Sequence, residues 1–271
     1  MHMIDFNNHP CFNIHSVNRY GRLHLPIAPL CNIQCNYCNR KTDCVNEARP
    51  GVSSRILSSS QAIEFLAKRY NYVKKNISVI GVAGPGDPMA TPQITLETFE
   101  KVREMFPDVI LCLSTNGVNL VRYIPNLIQA SVSHITVTIN AVDYKIGKKI
   151  YQWCHDGYRY LDKEAAAEYI INNQLDAVGR LKENGIEVKI NTVVIPNVND
   201  GHVIDIAKRV SQLKADVQNC IGLIPLANTP FANNGEPTYE EMLYIRSEAS
   251  KHIRQIYHCN RCRADACGLL K

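Results

Sequence analysis

The chain has 271 residues, 45% of them apolar and 20% charged, which are the proportions of a globular protein with a full hydrophobic core rather than a disordered or fibrous chain. Its net charge of +5 comes from scattered Lys and Arg, which points to a solvated surface and away from a nucleic-acid groove. No run approaches eighteen apolar residues and positions 1–13 are polar, so neither a membrane span nor a secretory leader is expected, and the expected location is the cytoplasm.

Residues 1–22 read as a polar extension carrying His9-Pro10-Cys11-Phe12. Leu23 to Leu30 is the first of several short β-rich runs, followed by Ile77 to Ala83, Val109 to Ser114, His134 to Asn140, Ile186 to Val194 and Val217 to Ile224. Helical patterns lie between them. Ser60 to Leu66 opens on a serine that can cap, Thr95 to Phe106 stops before Pro107, Lys163 to Asn184 ends at Gly185, and Gly201 to Lys214 follows. Asp143 to Asp162 reads as a loop or short-helix excursion, and the stretch from Cys259 onward as an appendage.

Strand–helix alternation of this kind predicts parallel βαβ units. Six units are too few to close an eight-stranded barrel. The expected fold is therefore α/β, a partial (β/α)6 TIM-type barrel over 23–258 with short cysteine-bearing extensions at 1–22 and 259–271. Its site should lie at the C-terminal ends of the strands. Alternation in His134–Asn140 puts Thr136, Thr138 and Asn140 on one side and three β-branched apolar residues on the other, and Lys189 and Asn191 repeat the pattern. The polar faces suit a ligand cavity inside the barrel.

Eleven cysteines are the outlier. In a reducing compartment, clustered cysteines read as metal ligands or redox groups. Cys31-Asn-Ile-Gln-Cys35-Asn-Tyr-Cys38 follows the first strand directly. A structural zinc site wants four ligands in two close pairs, which this spacing fits poorly. A [4Fe-4S] cube normally takes four thiolates, one per iron, and this loop can supply three. The fourth iron is then open to a small chelating molecule. Cys259-x-x-Cys262 also has metal-binding spacing, while Cys154 and Cys220 read as core residues.

The cysteine loop resembles the signature of the radical S-adenosylmethionine (SAM) superfamily, whose open cluster binds SAM. Gly84-Pro85-Gly86-Asp87-Pro88 resembles the motif that meets the methionyl amine, with Asp87 where that family more often has Glu. Ser114-Thr115-Asn116-Gly117 stands where family members place polar SAM contacts. The resemblance implies that Cys31, Cys35 and Cys38 hold the redox cluster. It implies a SAM site of Tyr37, Gly84, Gly86, Asp87, Ser114, Asn116, Thr138, Asn140 and Asn191.

A narrower resemblance, over about 9–270, is to the NifB family of nitrogenase cofactor maturases, in its short form without the C-terminal NifX-like domain. It rests on His24 to Val52, on His9-Pro10-Cys11-Phe12 and on Cys259 to Ala266. It implies fusion of two further [4Fe-4S] substrate clusters, K1 and K2, into an eight-iron precursor with a carbide from the SAM methyl group. A second SAM is cleaved to the 5′-deoxyadenosyl radical, and one more sulfide is required. By this resemblance His24, Cys44 and Cys112 are ligands of K1, Cys259 and Cys262 of K2, and Cys11 of either. Glu47 and Arg49 are catalytic candidates. The implied partners are a low-potential electron donor, a cluster-delivery protein and an acceptor scaffold, with no nucleic acid and no membrane. A radical SAM enzyme modifying peptide or RNA, and a non-catalytic iron–sulfur carrier, are the alternatives.

Overall fold

The first strand, β1, runs only over Gly21–His24, because Pro26 and Pro29 each lack the N–H that a ladder needs. Beyond it the chain touches its neighbour through an isolated bridge between Ala28 and Pro85. This computed structural model describes residues 5–270; positions 1–4 and 271, the outermost parts of the two expected extensions, lie outside the described residues.

The next elements are β2 (Ile33–Cys35), α1 (Ser59–Ala67), α2 (Tyr70–Asn76), β3 (Ile77–Val82), α3 (Pro92–Met105), β4 (Ile110–Thr115) and α4 (Leu120–Gln129). They continue with β5 (Val132–Thr138), α5 (Tyr144–Ile150), β6 (Tyr151–His155), β7 (Tyr160–Asp162), α6 (Lys163–Glu183) and β8 (Glu187–Val194). The chain closes with α7 (Val203–Gln212), β9 (Val217–Gly222), α8 (Tyr239–Ser250) and β10 (Cys267–Gly268).

The main sheet has the order β10-β1-β3-β4-β5-β8-β9. The six strands from β1 to β9 are parallel, and β10 joins the β1 edge antiparallel. This is the expected partial barrel: the helices cover one face of a curled parallel sheet, and the loops after the strands gather at its C-terminal end. Leu111, Leu113, Ile135, Val137, Ile139, Val188 and Ile190 point outward into a core with Phe99, Val102, Leu127, Val178, Leu181, Ile206 and Val210 from the helices. Each such side chain contributes about 1.5–3 kcal/mol relative to exposure. Their alternate neighbours Cys112, Ser114, Thr136, Lys189 and Asn191 line the inside.

Several local features differ from the expectation. The cap of α1 is Ser58 rather than Ser60, paired with Gln61 in a reciprocal capping box. Helix α6 ends as expected, with Gly185 at φ +72°. Helices α2, α4 and α8 lay outside the reading. Pro125 inside α4 disguised that helix, whereas α8 carried a legible signal in its Thr238–Glu241 capping box. The 143–162 excursion holds α5 and the antiparallel hairpin β6–β7, and β6 pairs with β2 inside the cysteine loop. Those two segments are distant in sequence, so neither announces the pairing.

Both extensions are built onto the barrel. Phe12 packs with Val217 and Ile256, and His9, Phe12 and Phe6 surround the His134 ring. In the tail, Arg22 donates to the carbonyls of Gly268 and Leu269, holding β10 on the sheet edge. Among the described residues no helix is long and apolar enough to cross a membrane.

Candidate functional site

The cysteine loop owes its shape to short polar contacts. The Gln34 amide donates to the carbonyls of Cys35 and Cys38 at 3.0 and 2.8 Å, and Cys38 N donates back to Cys35 O at 3.0 Å. Asn36 N donates to Ile150 O, which ties the loop to the end of α5. The Gly84–Asp87 turn then docks on the strand that leads into the loop. Gly86 N and Asp87 N donate to the carbonyls of Ala28 and Leu30, both at 2.6 Å, and a Cβ at Gly86 would collide with Leu30 O. Only glycine permits that approach.

Asp87 is turned inward on its own framework. Its carboxylate accepts from Met89 N at 2.8 Å, from Thr115 Oγ1 at 2.9 Å and from Asn116 N at 2.5 Å. Burial raises its pKa, and these donors pull it back. Asn116 in turn donates to Asn32 Oδ1 at 2.7 Å and reaches Cys31 Sγ at 3.7 Å.

Two cavities open at the strand ends. The first has about 390 Å³ of empty space and brings together Cys31, Cys35, Cys38, Gly86, Asp87, Ser114, Asn116 and Thr138, with Arg40, Cys44, Asn46 and Glu47. The second, about 680 Å³, brings together Cys11, His24, Cys112, Cys259, Cys262 and Asn191, with Lys189. Ser114, Asn46 and Glu47 line both, so they form the partition. Glu47 accepts from Thr138 Oγ1 at 2.8 Å and from Asn191 Nδ2 at 2.9 Å, and burial raises its carboxyl to about 7.

Other expected residues fall elsewhere. Tyr37 is fully buried, donating to Asn46 Oδ1 at 2.6 Å and accepting from Asn140 Nδ2 at 2.6 Å, so it lines neither cavity. Asn140 is likewise occupied, accepting from Val193 N at 2.8 Å. Gly84 accepts from Ala28 N behind the turn. Arg49 is exposed and donates to Asn260 O at 3.1 Å, clasping the tail from outside. Cys44 lines the first cavity rather than the second. Cys154 and Cys220 are buried, as expected of core thiols, and Cys267 lies exposed on β10.

The sequence reading missed two cations, Arg40 and Arg22, and the lack of an ion partner at a third, Lys189. Arg40 lines the first cavity together with Cys31 and Cys38, and its position two residues beyond Cys38 was the available signal. Arg22 donates to Cys262 Sγ at 2.8 Å from the adjacent strand. Lys189 was legible as inward-facing but not as a lone charge.

The donor set fits iron–sulfur ligation. All eleven cysteines are free thiols. Burial pushes Cys31 and Cys11 up to about 11 and Cys112 to about 12, so without metal they stay protonated, and ligation must displace the proton. Among the described residues no three His, Cys, Asp or Glu side chains converge as on a single ion. A cube spreads its ligands over separate irons, so such convergence is not its requirement. His24 Nδ1 lies 3.2 Å from Arg263 O, a contact that orients metal-ligating imidazoles, and burial lowers its pKa to about 4, leaving the ring neutral.

Residues 25–210 match the family model of the radical SAM superfamily. The chain is 47% identical over 267 residues to the FeMo cofactor biosynthesis protein NifB of Chlorobaculum tepidum, covering 98% of this chain and 63% of that protein. It is 45% identical to the NifB of Klebsiella pneumoniae, covering 97% of this chain and 57% of that one. The chain thus spans about three-fifths of these relatives. Among solved structures, Streptococcus suis SuiB bound to S-adenosylmethionine matches with a TM-score of 0.61 at 12% identity, over 91% of this chain and 53% of SuiB. The FeFe-hydrogenase maturase HydG from Carboxydothermus hydrogenoformans gives 0.60 at 16% identity, over 86% and 52%. At these identities the likeness concerns the fold.

Proposed function

Because this chain belongs to the radical SAM superfamily, we propose that Cys31, Cys35 and Cys38 hold a [4Fe-4S] cluster open at one iron, and that SAM binds there against Gly86, Ser114, Asn116 and Thr138. When bound, the reduced cluster supplies the electron that cleaves the SAM sulfonium. Arg40 offsets the negative charge of the thiolates. Asp87 holds the Gly84–Asp87 turn and the end of β4 together, and so positions the backbone that meets the methionyl group.

The proposed role, taken from the NifB relatives, is nitrogenase cofactor biosynthesis. Two [4Fe-4S] substrate clusters are fused in the second cavity, and a carbide derived from the SAM methyl group is inserted. His24 and Cys112 hold K1, joined by Cys44 across the Glu47 partition, and Cys259 and Cys262 hold K2. Cys11, at the junction of the two sets, serves either. Glu47 faces both cavities and relays protons between them, and Arg49 fixes the tail that carries the K2 thiols. The partners are a low-potential electron donor, a cluster-delivery protein and an acceptor scaffold, in a cytoplasmic setting.

One observation carries this reading: a five-donor cavity adjoins the cavity that holds the three loop cysteines and Cys44, with a single carboxyl in the wall between them. Its test is anaerobic reconstitution followed by iron analysis and EPR. About twelve irons per chain are expected for three cubes, falling by about four in Cys31→Ala. Carbon-14 from the SAM methyl group should enter an acid-labile cluster. About four irons in the wild type, with label remaining outside any cluster, would leave a radical SAM enzyme of another kind.

A further inference from the structure

Among the described residues the second cavity is lined by two cations that make no ion pair, Lys189 and Arg261, and the Arg261 Nε and Nη2 also lack hydrogen-bond partners. Lys189 points inward from β8 with 8% of its surface exposed and lines the cavity beside Cys11, His24, Cys112 and Cys259. Among the described residues its ammonium makes neither an ion pair nor a hydrogen bond; it stands 5.4 Å from the centroid of the Phe12 ring. Lys182, behind the same sheet, behaves as a structural lysine does, pairing with Asp216 at 2.6 Å. Lys189 has no such partner.

Burying an ammonium without a counter-ion costs free energy, so a lysine kept in this position answers an anion from outside the chain. The groups that face it indicate which kind. Cys11, Cys259, Glu47 and Cys112 favour its charge, while His9, His24 and His134 are held neutral by burial and by the lysine itself. The protonated thiols are no counter-ions until they bind metal, when each gives its proton to solvent. A thiolate-ligated iron–sulfur cluster is then an anion in a low-dielectric pocket, where a fixed cation acts strongly.

We infer that Lys189 is a counter-cation of the second cavity, holding an anionic iron–sulfur substrate by charge from the strand side while Arg261 faces it from the tail. This rests on the reading of that cavity as a cluster site. Charge retention suits a cluster that must be joined and released, because the ammonium adds attraction without adding a further iron–ligand bond to break. The lysine's compact ammonium on a flexible stem can follow a cluster as it shifts, which a rigid guanidinium fork does less well.

The experiment compares Lys189→Met and Lys189→Arg in the full chain, with the three loop cysteines changed to alanine so that only the second cavity can load. Metal-free Lys189→Met should melt several degrees above its parent, because a lone buried charge is gone; a structural lysine would give the opposite sign. After anaerobic reconstitution with iron and sulfide, Lys189→Met should retain less than half the parent's iron, with its EPR midpoint potential shifted negative. Lys189→Arg should recover most of the iron. Equal iron and an equal potential in Lys189→Met would overturn the inference alone. A parent that takes up no iron would overturn the cluster reading of the cavity and the inference with it. Lys189→Gln replaces the Met variant if the latter does not fold.

Discussion

The hydroxyl of Thr138 donates to Glu47 Oε1 at 2.8 Å, pinning the carboxyl in the wall between the two cavities. Thr138 ends β5 and Glu47 lies between β2 and α1 in the segment that follows β1, so the contact reaches across the two strands, β3 and β4, that separate β1 from β5. On the proposed assignment, Glu47→Ala leaves the three loop thiols of the SAM-binding cluster in place. The variant should still form 5′-deoxyadenosine from SAM but incorporate no methyl-derived carbon-14 into a cluster, as read by product chromatography and acid-labile label.

Gly86→Ala should be among the most damaging single-methyl changes in the chain. The added Cβ meets the Leu30 carbonyl, which is backbone and cannot rotate aside. A cost of about 3 kcal/mol is expected in urea unfolding, together with loss of iron from the neighbouring cysteine loop.

Arg22→Met removes the donors to Gly268 O, Leu269 O and Cys262 Sγ while keeping most of the side-chain volume. If about 1.4 kcal/mol of local stability is lost, opening of the tail becomes about tenfold more frequent. Limited proteolysis within 259–270 should accelerate by that factor and the barrel should stay intact. Unchanged cleavage would mean that pairing of β10 with β1 alone secures the tail.

His134 gives the metal-free protein a defined response to acid. Burial, aided by Lys189, pushes its pKa down to about 3, below the usual value of 6.5. The folded state therefore favours the neutral ring. Its contribution is complete above about pH 6.5 and is lost as pH falls from there toward 3, at up to about 1.4 kcal/mol per pH unit. His134→Phe, which keeps the ring among Phe6, His9 and Phe12, should flatten that slope in denaturant melts at pH 4, 5, 6 and 7. His9, lowered in the same way, leaves a residual slope.

Much of the site was legible because its signals are local. Cys31, Cys35 and Cys38 lie on one loop, and the glycines at 84 and 86 follow a strand of plain β character. Alternation in His134–Asn140 correctly separated the outward residues Ile135, Val137 and Ile139 from the inward Thr136 and Thr138. The six parallel strands follow from the same periodicity. Local pattern could not show that Tyr37 is enclosed by Asn46 and Asn140, or that Arg49 grips Asn260 on the outer surface. Those facts depend on partners far along the chain.

Short-range chemistry in the chain thus settled the fold class and the three-thiol loop, since periodicity and ligand spacing act over a few residues. Tertiary packing alone decided how the remaining donors divide between two cavities, which side chains spend their polar atoms on the framework, and that Lys189 stands without a partner. Burial and charge compensation depend on everything within several ångströms in space, and those neighbours come from β1, β4, β5, β8 and both extensions.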